Sequence, residues 1–136
     1  MKKLMLGIVV LLTLFVVESC VSATNVNFTF TWTAPGDDST TGTASGYEMK
    51  YWTDSISLVN SWASCITVAS SLTKVPQVAG TAETLMTVIN LNTETTYFFA
   101  IKAKDEVPNW SPVSNIVRRY IPDNVPPAMI IDFGWK

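Results

Sequence analysis

From residue 26 onward the apolar positions recur every second residue. Val26, Phe28, Phe30, Trp32 and Ala34 alternate with Asn27, Thr29, Thr31 and Thr33. A period of two sends these sets to opposite faces of a strand, one buried and one wet. Pro35 and Gly36 end the run, and the loop Gly36–Gly46 (GDDSTTGTASG) carries no apolar anchor. GYEMKYW, residues 46–52, predicts a second strand with Tyr47, Met49 and Tyr51 on one face. TDSISLVNSW predicts a turn region, and WASCITVAS a further short strand. Residues 71–84, with Pro76 and Gly80, read as a connection. LMTVINL, residues 85–91, is rich in strand formers. In LNTETTYFFAIKAKDE, Tyr97, Phe99, Ile101 and Ala103 alternate with Phe98, Ala100, Lys102 and Lys104. The loop DEVPNWSP follows, and SNIVRRYI predicts a last strand before Pro122. About six short strands separated by turn signals, with no helical period after residue 24, predict an all-β antiparallel sandwich.

The first residues do not belong to this pattern. MKKLMLGIVVLLTLFVVESC has two lysines and then an apolar run from Leu4 to Val17, the form of a secretory signal peptide over residues 1–19. The run is shorter than the ~20 residues of a membrane span. Val17-Glu18-Ser19-Cys20 resembles a bacterial lipobox, which implies lipidation of Cys20 and a lipid anchor on the membrane of the cell envelope. Val21-Ser22-Ala23 is the competing cleavage site and would release a secreted protein from Thr24.

Composition narrows the chemistry. The chain has 136 residues, 15% of them charged, and a formal net charge of −2. That is one domain's length, with no basic footprint for nucleic acid. Histidine is absent. Nucleophile systems built on serine–histidine or cysteine–histidine are therefore excluded within this chain. There is no phosphate loop, and no enzyme activity or cofactor is expected. With Cys20 lipidated or removed, Cys65 has no disulfide partner and reads as a small buried hydrophobe.

Four segments together resemble a fibronectin type III domain of the bacterial exported type: FTFTWTAP (28–35), GYEMKY (46–51), LNTETTYFFAIKAKD (91–105) and NWSPVSN (109–115). The resemblance covers residues 26–121 and implies an immunoglobulin-like sandwich. It casts Trp32 as the core tryptophan of strand B. It casts Tyr97 as the tyrosine of strand F, whose hydroxyl bonds the backbone near Leu91 and pins the E–F corner. The family's N-terminal strand A is missing here. Residues 20–25 leave room only for a short tether. The tail 122–136 reads as a Pro-rich linker and the start of a second domain. The chain is then a piece of a tandem protein, or the tail repairs the sandwich by strand exchange or edge pairing, or it is a loosely attached tail.

Candidate ligand positions follow from the topology. The B–C loop (Asp37, Asp38) and the F–G loop (Asp105, Glu106, Trp110) belong at one end of such a sandwich. Four carboxylates could hold Ca²⁺, but aspartates after Pro-Gly also bond their own backbone, and turn chemistry is the preferred account. No metal is assigned. Trp52, Trp62, Phe98 and Trp110 lie off the inward pattern; rim packing is preferred over ligand stacking. The implied role is a non-catalytic cell-surface binding or spacer module with an unidentified protein or polysaccharide partner. The alternative is an accessory module of a larger secreted hydrolase.

Overall fold

The computed structural model describes residues 22–107, 109–132, 134 and 135. The signal peptide and the lipidation site at Cys20 lie outside the described residues. Six strands form two antiparallel sheets: β1 (Ala23–Thr33), β2 (Gly46–Trp52), β3 (Ile66–Thr67), β4 (Ala82–Asn92), β5 (Thr95–Lys104) and β6 (Val117–Ile121). One sheet has two strands, β1 and β4; the other has four, in the order β3-β2-β5-β6. The architecture is the expected all-β sandwich, with a two-stranded layer packed on a four-stranded one.

Alternation sets which side chains meet between the sheets. Met49, Tyr51, Leu85, Ile89, Leu91, Tyr97, Phe99 and Ile121 are buried there, with Val68. Val26, Phe28, Phe30, Trp32 and Ile101 pack against them but are only partly buried. Phe99 sits at the centre: its ring lies 5.0 Å from Phe28, 5.2 Å from Phe30 and 5.6 Å from Tyr51, centroid to centroid. Such tilted contacts between aromatic rings add to the gain from burial alone. Trp32 meets Tyr47 edge-on at 5.1 Å, while its indole N–H is buried without an acceptor among the described residues.

Tyr97 lies two residues into β5, beneath the turn from β4. Its hydroxyl accepts a hydrogen bond from the Asn92 N–H at 3.2 Å. Glu94 takes a positive φ of 56° in that turn, and its N–H donates to the Ile121 carbonyl. Thr93 donates twice to the Ser22 carbonyl, from its N–H and its hydroxyl. Residues 92–95 thus tie the start of β1 to the end of β6.

Several boundaries differ from the sequence reading. Residues 23–25, read as a tether, are already strand: Ala23 pairs with Asn92. TDSISLVNSW is not simply a turn. It holds a short helix, α1 (Ser55–Asn60), whose first turn is capped by Asp54, with Ser57 N–H donating to Oδ1 at 2.7 Å. Six residues are too few to show a helical period. The strand expected in WASCITVAS shrinks to Ile66–Thr67 between 3₁₀ turns at Trp62–Ser64 and Ala69–Thr73. Serine side chains are the reason. The Ser71 hydroxyl accepts from Met49 N–H and donates to the Val68 carbonyl, taking the place of a ladder partner. Likewise SNIVRRYI is strand only from Val117. Before it, the Ser111 and Ser114 hydroxyls accept from the Ala103 and Ile101 amides along β5.

The off-pattern aromatics also find a different home. Trp52, Trp62 and Phe98 are not rim residues of the main core. They pack on the outer face of the four-stranded sheet with Leu58, Cys65 and Ala100, forming a second cluster under α1. Burial pushes the Cys65 thiol pKa up, which disfavours the reactive thiolate.

Replacing Tyr97 with Phe removes the only acceptor the tyrosine ring offers to the Asn92 amide. The expected loss is about 1–3 kcal/mol, and the exposure of Asn92 places it at the low end. A urea melt of the variant reads it directly, and an unchanged midpoint would show that the corner does not depend on this bond.

Candidate functional site

The B–C and F–G loops meet at the pole where β1 and β5 end, as the topology requires. Gly36 is necessary to the fold of the B–C loop: a Cβ there would lie 2.1 Å from the Thr41 carbonyl oxygen. The loop folds on itself through Gly36 N–H to Ser39 O and Asp37 N–H to Thr41 O. Ser39 and Gly42 take positive φ, at 62° and 80°. Ser45 N–H then bonds the Lys104 carbonyl at 2.7 Å, joining this loop to the end of β5.

Of the four carboxylates expected here, Asp105 is engaged within its own loop. Oδ1 accepts from Asn109 N–H at 2.8 Å and Oδ2 from the Asn109 side-chain amide at 2.7 Å. These bonds favour the charged form and lower its pKa. This is turn chemistry. Asp37 and Glu106 lie near enough to act on each other, and Asp37 Oδ1 is buried without a hydrogen-bond partner among the described residues. Desolvation, then Glu106, then Asp38 and Asp105 raise the Asp37 pKa above its ordinary 3.8. Asp38 faces away on the exposed turn, bridged to Thr41. Among the described residues no group of three or more His, Cys, Asp or Glu side chains is placed to hold a metal ion.

Trp110 stands apart from this carboxyl pair. It is 44% exposed rather than sealing the F–G end of the core. Lys104 Nζ lies 5.7 Å from its ring centroid. Together they border a cleft of about 380 Å³ with Leu72, Val75 and Pro76. Leu72 and Val75 are themselves 58% and 73% exposed. The loop bearing them is held from below by a feature the sequence reading missed. Glu83 points inward from β4 and is buried. Its Oε2 pairs with Lys74 Nζ at 2.6 Å, and Oε1 accepts from Gln77 N–H at 2.6 Å and from the Tyr47 hydroxyl at 3.3 Å. Burial pushes this carboxyl up, but Lys74 and the hydrogen bonds outweigh it, and the net shift is downward. The signal was a glutamate on the inward register of an alternating strand, visible only once that strand is extended back to Ala82.

The raised Asp37 carboxyl gives a signed test. A group whose pKa is higher in the folded chain stabilises it at low pH, and that stability is lost as pH rises through the folded pKa. Asp37→Asn mimics the neutral form. It is expected to raise the thermal midpoint near neutral pH, with the gain disappearing on acidification below 3.8. Melts across a pH series decide it.

The geometry agrees with comparison to known proteins. A family model for the fibronectin type III domain matches residues 17–117. Calcium-activated chloride channel regulator 1 of Homo sapiens and that of Macaca mulatta are each 34% identical to this chain over 102 residues. The match takes in 71% of this chain but 11% of either relative, so the chain spans about a tenth of their length. No solved structure matches. The two-layer sandwich, the tyrosine at the turn into β5 and the matched span establish that this chain belongs to the fibronectin type III family.

Proposed function

We propose that the chain is a non-catalytic binding or spacer module of a bacterial exported lipoprotein, anchored to the cell envelope through Cys20. It acts through contact with a protein or polysaccharide. The observation that carries the binding role is the loop pole itself. There Trp110, Leu72 and Val75 stay exposed around one cleft, although the surrounding loops are held by the Glu83–Lys74 pair and the Asp105–Asn109 bonds. A rigid frame that holds apolar and aromatic side chains in water is a contact surface with little ordering cost on binding. Family members are generally non-catalytic, and the absence of histidine from the whole chain fits that role. The eukaryotic relatives match over this module alone, which suits a unit used inside larger proteins as well.

Two measurements test the reading. Mass spectrometry of the mature chain from its native host is expected to find a diacylglyceryl group on Cys20; a start at Thr24 would replace the anchored protein with a secreted one. Co-sedimentation with insoluble peptidoglycan, chitin and cellulose, paired with cross-linking on intact cells, is expected to show binding that Trp110→Ala weakens about fivefold or more, in line with loss of one aromatic contact. Binding untouched by Trp110→Ala would move the contact surface away from this pole.

A further inference from the structure

One long side of the sandwich is open. β1 is bonded to β4 along its whole length, and among the described residues no strand pairs with its other edge. Three clefts of about 300–360 Å³ share residues there and run together as one groove between β1 and β6. Phe28, Phe30 and Trp32 form one wall, and Phe99, Ile101 and Val117 line the other side. This is why the inward side chains of β1 are only partly buried while those of β4 on the same layer are buried. An unpaired edge beside an apolar groove is a template for one more strand.

The same chain exposes a segment suited to fill it. Beyond Ile121 the described residues of the tail belong to no strand or helix, and Met129, Ile130 and Ile131 are 81%, 73% and 85% exposed. In an extended strand Met129 and Ile131 share one face. Pro126 and Pro127 precede them and cannot join a ladder themselves, so pairing starts at Ala128. Charge fits as well. Arg118 and Arg119 line the end of the groove nearest the start of β1, and no ion pair occupies them among the described residues. A strand running antiparallel to β1 brings Asp132 toward that end.

Reach decides whose tail it is. β6 ends at the pole where β1 begins, since Ile121 pairs with Thr95 and Ala23 with Asn92. A strand antiparallel to β1 must enter from the opposite pole. The eleven residues of β1 span roughly 36 Å, whereas the six residues from Ile121 to Pro126 reach at most ~20 Å. A five-residue strand of residues 128–132 spans roughly 17 Å, so a chain's own linker would spend nearly its whole reach climbing the edge and leave almost nothing for the reversal of direction; a second copy's tail meets no such constraint.

We propose that residues 128–132 of one copy add to the open edge of β1 in a second copy, antiparallel to it, and that the exchange is reciprocal, giving a two-fold dimer. Light scattering and sedimentation velocity of the purified chain from 1 to 100 μM (on the order of ordinary dimer affinities) are expected to show a concentration-dependent dimer. Ile131→Asp should raise its dissociation constant about tenfold or more, with an unchanged circular dichroism spectrum because Ile131 is exposed in the single chain. Excess synthetic peptide of residues 124–135 should convert dimer to peptide-bound monomer. A chain that stays monomeric throughout, or a dimer indifferent to both Ile131→Asp and the peptide, would overturn the exchange.

Discussion

Everything between the two sheets is organised around the ring of Phe99. It comes from the central strand of the larger sheet and meets Phe28 and Phe30 from the smaller one and Tyr51 from its own neighbour strand. Phe28 and Phe30 are nearly parallel, with 5.2 Å between centroids and 5° between planes. They form a flat wall against which a single ring can tilt. With two strands facing four, the smaller layer cannot cover the larger with aliphatic side chains alone. Large aromatic rings reach across the shortfall, since each buries more surface than any aliphatic residue. The cost is a core sealed on one side and open on the other.

That asymmetry accounts for what was legible in the sequence. β1, β2 and β5 were recognisable from alternation and β4 from its strand formers, each to within a few residues. The tyrosine at the start of β5 was readable through the resemblance to the fibronectin type III family, which implies a hydroxyl there for the backbone of the corner, and the Asn92 N–H is the group it meets. Features that depend on one polar atom were not. The Ser71 hydroxyl that ends β3, the Asp54 cap that starts α1 and the inward carboxylate of Glu83 break no pattern that a reader of periodicity could weigh. Each is set by a partner far along the chain or by a helix too short to repeat.

The loop pole illustrates the same division. Its location followed from topology, and Asp37 and Glu106 lie near each other there. What each carboxylate does there depended on the amide it found. Asp105 met Asn109 and became part of the turn, while Asp37 met only other acids. Trp110, expected to close the core, instead stands over Lys104 at the edge of a cleft that the 72–76 segment shapes. The serines of the F–G loop bond β5 directly and hold the chain along that strand, with Trp110 bridged to Lys104 at its end.

The tie at residues 92–95 has a mechanical meaning. Ser22 and Ile121 are both held by that one turn, so the chain enters and leaves the sandwich at the same pole. A pull applied through those two points acts across the strands rather than along them. The rungs between β1 and β4 would then be loaded singly, beginning at Ala23 and Asn92, and would part in sequence as a zipper does. A domain strung this way yields at low force and recloses easily, behaving as a compliant link in a tether and not as a stiff strut.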